Sequence, residues 1–177
     1  MNLLKKIYNY FDNVSHEIKL IRLKPCAIFS LAFFLLGLAS WFIGGSTNKV
    51  ILISIFPRSA LPIAYAYVLW GISFAFCGFI FGGIVFGCEK FKRHHTFKIC
   101  TFIIVMQIFV LCVYPVFFGA HSPFIAFVLL LLSAIFCIFS IIASYRIYSL
   151  WTACLIFYLL WLIYNCYISL AFIFINW

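Results

Sequence analysis

The residues best suited to binding chemistry lie in the last apolar segment, where aromatic and polar side chains recur at spacings of three and four. They are Trp151, Cys154, Tyr158, Trp161, Asn165 and Ser169. On an α-helix this spacing forms one face. The apolar residues between them fall elsewhere, on a side that suits lipid: Ile156, Leu159, Ile163 and Leu170. Pockets in helix bundles typically have aromatic walls with a few convergent polar groups, so this face is a candidate for lining a ligand pocket.

Two amide side chains lie within apolar segments. Asn165 follows Trp161 by one helical turn, and Gln107 lies in the third apolar segment. An unpaired amide in hydrocarbon is costly, so both should face the interior of a helix bundle. Hydrogen bonding between helices and contact with a ligand both fit that position, and the sequence leaves the two open.

Acid–base and metal chemistry have little material in this chain. The three acidic residues, Asp12, Glu17 and Glu89, lie outside the apolar segments, and no nucleotide-binding or hydrolase motif is present. No ionisable Asp, Glu, Lys or Arg falls within a predicted span, which argues against an ion-coupled pump. The eight cysteines are dispersed without a CxxC pair and are expected to be small buried hydrophobic residues.

The histidines are weak candidates for metal or haem ligation. His94 and His95 are adjacent in a basic segment, where a solvated turn near lipid headgroups is the favoured interpretation. His121 is alone in a short loop, and its role is ambiguous. The sequence therefore predicts no metal site.

The overall composition defines the class of protein. Of 177 residues, 68% are hydrophobic and 8% are charged, which leaves too little polar surface for a water-soluble globule. A membrane-spanning helix needs about 20 apolar residues. We therefore predict an all-α integral membrane bundle, forming one domain over residues 25–177. Its five transmembrane helices are expected at 25–43, 62–87, 99–118, 124–144 and 150–175. Residues 44–61, which contain Pro57, should form an external loop with a short dipping segment.

Charge predicts the orientation and the partners of the bundle. Residues 1–24 have apolar residues at helical spacing among five basic ones, as in an amphipathic helix on a membrane surface. A cleaved signal peptide is the alternative. In the five-span layout, ten of the 12 Lys and Arg lie on the same face of the membrane as the N-terminus, and only Lys49 and Arg58 lie on the opposite face. The N-terminus is thus predicted to be cytoplasmic and the C-terminus outside, and the net charge of +9 suits anionic headgroups rather than nucleic acid.

The second apolar segment combines small and aromatic residues. The small residues are Gly71, Ala75, Gly78 and Gly82, and the aromatic ones are Tyr67, Trp70, Phe74 and Phe81. Small residues at this spacing let two helices approach closely, so the stripe is expected to serve packing.

The order of these features resembles the TspO/MBR family, the tryptophan-rich sensory or translocator proteins. The stretch YPVFFGAHSPFIAFVLLLL is similar to the family's helix 3 to helix 4 region, and FPRSALPIAYAYVLWGIS to its entry into helix 2. LIFYLLWLIYN parallels its helix 5 segment, with Tyr158, Leu159 and Trp161 at matched positions. The family's Pro and mid-helix Asn there are Phe157 and Ser169.

The resemblance implies a five-helix membrane protein, often a homodimer, that binds porphyrin, haem or a sterol-like lipid between the helices and under the first loop. The function expected is a receptor or carrier for a flat hydrophobic ligand, with no obligatory cofactor. A porphyrin-degrading enzyme and a structural assembly protein are the alternatives. The residues expected at the site are Trp161, Tyr158, Asn165, Trp70, Tyr67, Gln107, Phe118 and Pro57.

Overall fold

The computed structural model describes residues 12, 14, 22–44, 55–86, 93–145 and 147–176. They form five long helices: α1 Leu23–Ile43, α2 Ile63–Phe86, α3 Arg93–Tyr114, α4 Pro123–Ser144 and α5 Ser149–Asn176. A π-helical turn, Pro115–Gly119, joins α3 to the loop before α4. All five helices are long and apolar enough to cross a membrane, so the predicted all-α membrane bundle is confirmed. The predicted surface helix over residues 1–24 lies almost wholly outside the described residues.

The helices close a ring in the order α1, α2, α5, α4, α3. Neighbours in sequence pack along most of their length in the pairs α1–α2, α3–α4 and α4–α5, and shorter contacts join α2 to α5 and α1 to α3. The core between them contains fully buried side chains, such as Phe74 of α2, Ile103 of α3 and Leu155 of α5. Helix α1 lies on the periphery and exposes Leu31 and Leu35.

The small-residue stripe Gly71–Gly82 packs α2 directly against α1. A Cβ added to Gly82 would lie 2.9 Å from the Cα atom of Cys26, and one added to Gly78 would overlap the carbonyl oxygen of Phe29. No side chain fits between the two backbones at these points, so the expected packing role of the stripe agrees with the geometry.

Helix α3 differs from its prediction at both ends. It begins at Arg93 rather than at residue 99, because a helix satisfies its own backbone hydrogen bonds and need not stop where the apolar run stops. The Thr96 hydroxyl, in this added turn, lies 3.0 Å from that of Tyr148. The α-helical geometry then ends at Tyr114, not at residue 118. The other predicted helix bounds agree to within two residues.

Pro115 explains the change of geometry at the end of α3. Proline has no N–H, so the carbonyl of Leu111, four residues earlier, loses its usual helical partner. The Ser40 hydroxyl of α1 donates to that carbonyl. Beyond the proline, the Ala120 N–H donates to the Pro115 carbonyl at 3.0 Å, the wider spacing of a π-helix. The hydrogen bond from Ser40 to the Leu111 carbonyl thus also links α1 to α3.

With five spans, the residues before α1 and after α5 are expected on opposite faces of the membrane, and the distribution of basic residues predicts the direction. We expect a reporter fused at residue 1 or inserted near Lys92 to be cytoplasmic, and one fused after Trp177 to be external, because cytoplasmic loops retain the excess of Lys and Arg. Accessibility to a membrane-impermeant reagent in intact cells measures both. Termini on the same face would contradict this layout.

Candidate functional site

A cavity of about 110 Å³ lies at the end of the bundle where the α1–α2 loop, the π-helical turn and the C-terminal half of α5 meet. Half of its lining residues are aromatic: Phe56, Tyr67, Trp70, Tyr114, Phe117, Phe118, Trp161 and Tyr164. The smaller lining residues are Ala60, Leu61, Ala66, Val113, Leu130, Asn165, Ile168 and Ser169. No charged side chain or histidine is among these lining residues. We call this space the aromatic cavity.

The structure brings five of the eight residues expected at the site into the lining of this cavity. They are Trp161, Asn165, Trp70, Tyr67 and Phe118. They come from three parts of the chain, since two lie on α2, two on α5 and one in the π-helical turn. The aromatic residues of α2 and α5 thus face a common space.

The other three expected residues lie outside the cavity lining. Tyr158 and Gln107 are buried deeper in the bundle, where the Gln107 amide nitrogen donates to the Tyr158 hydroxyl at 3.1 Å. The Gln107 amide therefore makes a hydrogen bond that links α3 to α5. Pro57 is buried in the loop and accepts a hydrogen bond from the Ala60 N–H, while the adjacent Phe56 faces the cavity.

The inner wall of the cavity is a cluster of rings around Tyr114. Its ring centroid lies 4.5 Å from that of Trp70 and 6.2 Å from that of Tyr67. Tyr67 also lies 4.8 Å from Trp41 of α1. Contacts between tilted rings at these distances stabilise one another and make the wall a continuous aromatic surface.

Two polar atoms on this inner wall have no hydrogen-bond partner among the described residues. They are the indole Nε1 of Trp70, a residue only 3% exposed, and the Tyr67 hydroxyl, which is itself buried. Buried Trp and Tyr usually pair these groups, because an unpaired buried donor costs about 1–3 kcal/mol. Because both atoms are shielded, an acceptor in the cavity could pair with one of them only after the Trp70 or Tyr67 ring shifts.

The outer wall is formed by α5. Trp161 stacks on Tyr164 with centroids 5.7 Å apart and the ring planes 28° apart. The Asn165 amide nitrogen donates to the Trp161 carbonyl of its own helix at 2.7 Å, which is its one hydrogen bond within the described part of the chain. The amide thus makes no link between helices there and keeps hydrogen-bonding capacity beside the cavity.

A short loop segment, Ile55–Ala60, covers the cavity and is held by α5. The Asn176 side chain accepts from the Ile55 N–H and donates to the Ile55 carbonyl, both at 2.8 Å. Nearer the cavity, the Tyr164 hydroxyl donates to the Ser59 carbonyl at 3.1 Å. These hydrogen bonds are exposed, whereas Phe56 packs on the buried Phe172 ring with centroids 5.2 Å apart.

The sequence predicts most of the lipid-facing side of α5 correctly, but it leaves out some of the residues that line the cavity. Ile156, Ile163 and Leu170 are exposed on the lipid side, whereas Leu159 packs partly buried against the core. Sequence reasoning missed Tyr164 and Tyr114 as lining residues. Tyr164 follows Trp161 by three residues, so the helical spacing already placed it beside that face.

Neither His121 nor His95 is among the residues that line the aromatic cavity. His121, with a positive φ of 52°, is exposed in the link before α4, and His95 is exposed in the first turn of α3, at the opposite end of that helix. No group of three metal-ligating side chains occurs within the described ranges.

Fold and cavity together define a multi-pass helical membrane protein with an aromatic cavity near one membrane face. No protein-family model, curated protein or solved structure matches the chain.

Proposed function

We propose that this protein is a membrane receptor or carrier that binds a flat hydrophobic ligand, such as a porphyrin, haem or a sterol-like lipid, in the aromatic cavity. The unpartnered indole N–H of Trp70 on an otherwise aromatic wall is the observation that carries the proposal. Ring faces would contact the plane of the ligand, and a propionate or hydroxyl oxygen would accept from the indole.

The size of the cavity sets how such a ligand would bind. Sites for drug-sized ligands usually enclose about 300–1,000 Å³, which exceeds the 110 Å³ found here. Binding of a tetrapyrrole therefore requires the cover Ile55–Ala60 to lift. The contacts that must break are the hydrogen bonds from the cover to Asn176, Tyr164 and Tyr167 and the packing of Phe56 on Phe172. Association should therefore be slower than diffusion allows.

The resemblance to TspO/MBR proteins supports the same ligand class and suggests a homodimer as the working assembly. The uncharged lining favours binding over acid–base catalysis. Titration of the purified protein in detergent with protoporphyrin, haem and a sterol tests the proposal through tryptophan fluorescence. Saturable quenching with an unchanged pigment spectrum is expected. New absorbing products would instead favour porphyrin degradation, and no binding of any of the three would favour a structural role.

Replacing Asn165 with leucine should weaken protoporphyrin binding by several-fold, about the value of one hydrogen bond. The melting temperature of the ligand-free protein should move little, because this amide bonds only its own helix among the described residues. Titration and thermal unfolding measure the two effects.

Gln107→Leu is the matched control, since it removes the other intramembrane amide. It leaves the buried Tyr158 hydroxyl without its partner, so stability should fall by about 0.6–2 kcal/mol while affinity is retained. Lost stability with unchanged affinity for Asn165→Leu would mean that Asn165 is structural and that the ligand binds elsewhere.

A further inference from the structure

A second and larger cavity, of about 440 Å³, opens on the lipid-facing side of the bundle between α1 and α2. Phe34, Leu38 and Trp41 line it from α1, and Val68 and Ile72 from α2. Val68 is 60% exposed and Ile72 is 52% exposed, so the cavity is open along its side. We call it the lateral crevice.

Tyr67 and Trp70 line both the lateral crevice and the aromatic cavity, and so form a partition between them. The partition carries two of the three buried polar atoms that lack a hydrogen-bond partner within the described ranges, the Trp70 indole nitrogen and the Tyr67 hydroxyl. A groove filled by hydrocarbon alone would leave both unpaired, at a cost in free energy. An occupant that also carries an oxygen acceptor would remove that cost.

The direction of the crevice limits the occupant further. From Phe34 to Trp41 it follows seven residues of α1, or about 10 Å along the helix axis, from mid-helix to within a turn of the helix end. Its mouth faces hydrocarbon, and none of its lining residues is charged. A chain lying along this path would run parallel to the lipids of the adjoining leaflet.

We propose that the lateral crevice is a site for one acyl chain of a bilayer phospholipid, whose ester carbonyl accepts a hydrogen bond from Trp70 or Tyr67. The chain packs along Phe34 and Leu38, with its ester end toward the membrane face. The crevice and the aromatic cavity are separate spaces, but the single indole N–H of Trp70 can serve only one occupant. When a tetrapyrrole uses that N–H, the Tyr67 hydroxyl is the donor left for the lipid ester.

Photolabelling locates such a lipid in the intact protein. Vesicles of dioleoylphosphatidylcholine would contain a trace of phosphatidylcholine with a diazirine in one acyl chain, and mass spectrometry would identify the labelled peptides. We expect labelling concentrated on the α1 and α2 peptides around Leu38 and Val68. The ether-linked analogue, whose chains lack the ester carbonyl, should label them about fivefold less, the value of one hydrogen bond.

Val68→Trp tests the same site by filling the crevice from an exposed position, which should lower labelling there by a similar factor. Ile163→Trp, on the lipid side of α5, is the matched control and should leave it unchanged. Labelling spread evenly over all lipid-facing helices, or equal for ester and ether lipids, would overturn the proposal. Protoporphyrin titration of the same variants is a separate readout, so failure of either site is recognised without the other.

Discussion

Replacing Trp161 with alanine is expected to weaken protoporphyrin binding by about five- to a hundredfold. An aromatic side chain stacked on a flat base contributes about 1–3 kcal/mol on alanine substitution, and a macrocycle should gain at least as much. Trp161 is half-buried at the edge of the aromatic cavity, so its removal opens one wall without emptying the bundle core. Titration of the porphyrin absorption band measures affinity without relying on the tryptophan that is removed.

Phe157→Ala is the matched control on the same helix. Phe157 is 68% exposed on the lipid side and does not line the cavity, so affinity should be unchanged. Equal losses for the two variants would indicate a general perturbation of α5. An unchanged affinity for Trp161→Ala would remove the aromatic cavity as the binding site.

Gly78→Ala is expected to lower the free energy of unfolding by about 1–3 kcal/mol, the cost of overpacking a well-packed contact. The added methyl group would overlap the carbonyl oxygen of Phe29, which is backbone and cannot rotate away. Helices α1 and α2 must separate to admit it. Thermal unfolding in detergent should show a melting temperature several degrees lower.

Gly119→Ala supplies the comparison with the same chemical change. A Cβ there would lie 3.4 Å from the Gly44 carbonyl oxygen, an ordinary contact, and the residue is exposed. Its melting temperature should match that of the unmodified protein. If both variants are equally stable, the close α1–α2 contact is not important for stability.

The sequence predicts the five helices because each apolar run is long enough to span hydrocarbon, and that requirement is independent of tertiary structure. It misplaces the start of α3 because polarity marks the edge of the membrane, not the end of backbone hydrogen bonding. It also misses the π-helical turn, whose freed Leu111 carbonyl is satisfied by Ser40, a residue 71 positions away. Local composition contains no information about that partner.

For the site, helical spacing gives the face of a residue but not its depth. Tyr158 and Trp161 share one stripe of α5, yet Trp161 lines the cavity while Tyr158, one turn deeper, bonds Gln107 in the closed core. Where the cavity ends depends on how α2, α3 and α4 fill the bundle below it. Periodicity also cannot predict how the cover is held, because Ile55 and its partner Asn176 are 121 positions apart in the sequence.

The two hydrogen bonds between Asn176 and Ile55 imitate the pairing of neighbouring strands, with a side-chain amide in place of a backbone peptide. The Ile55 N–H is therefore shielded from solvent exchange only while the cover is in place. Its rate of deuterium uptake then measures the fraction of time that the cover is detached. A ligand enclosed under the cover slows this uptake, and a ligand that props the cover open accelerates it. The exchange rate of this one amide, which lies outside the cavity, thus distinguishes a ligand enclosed under the cover from a ligand that keeps the cover detached.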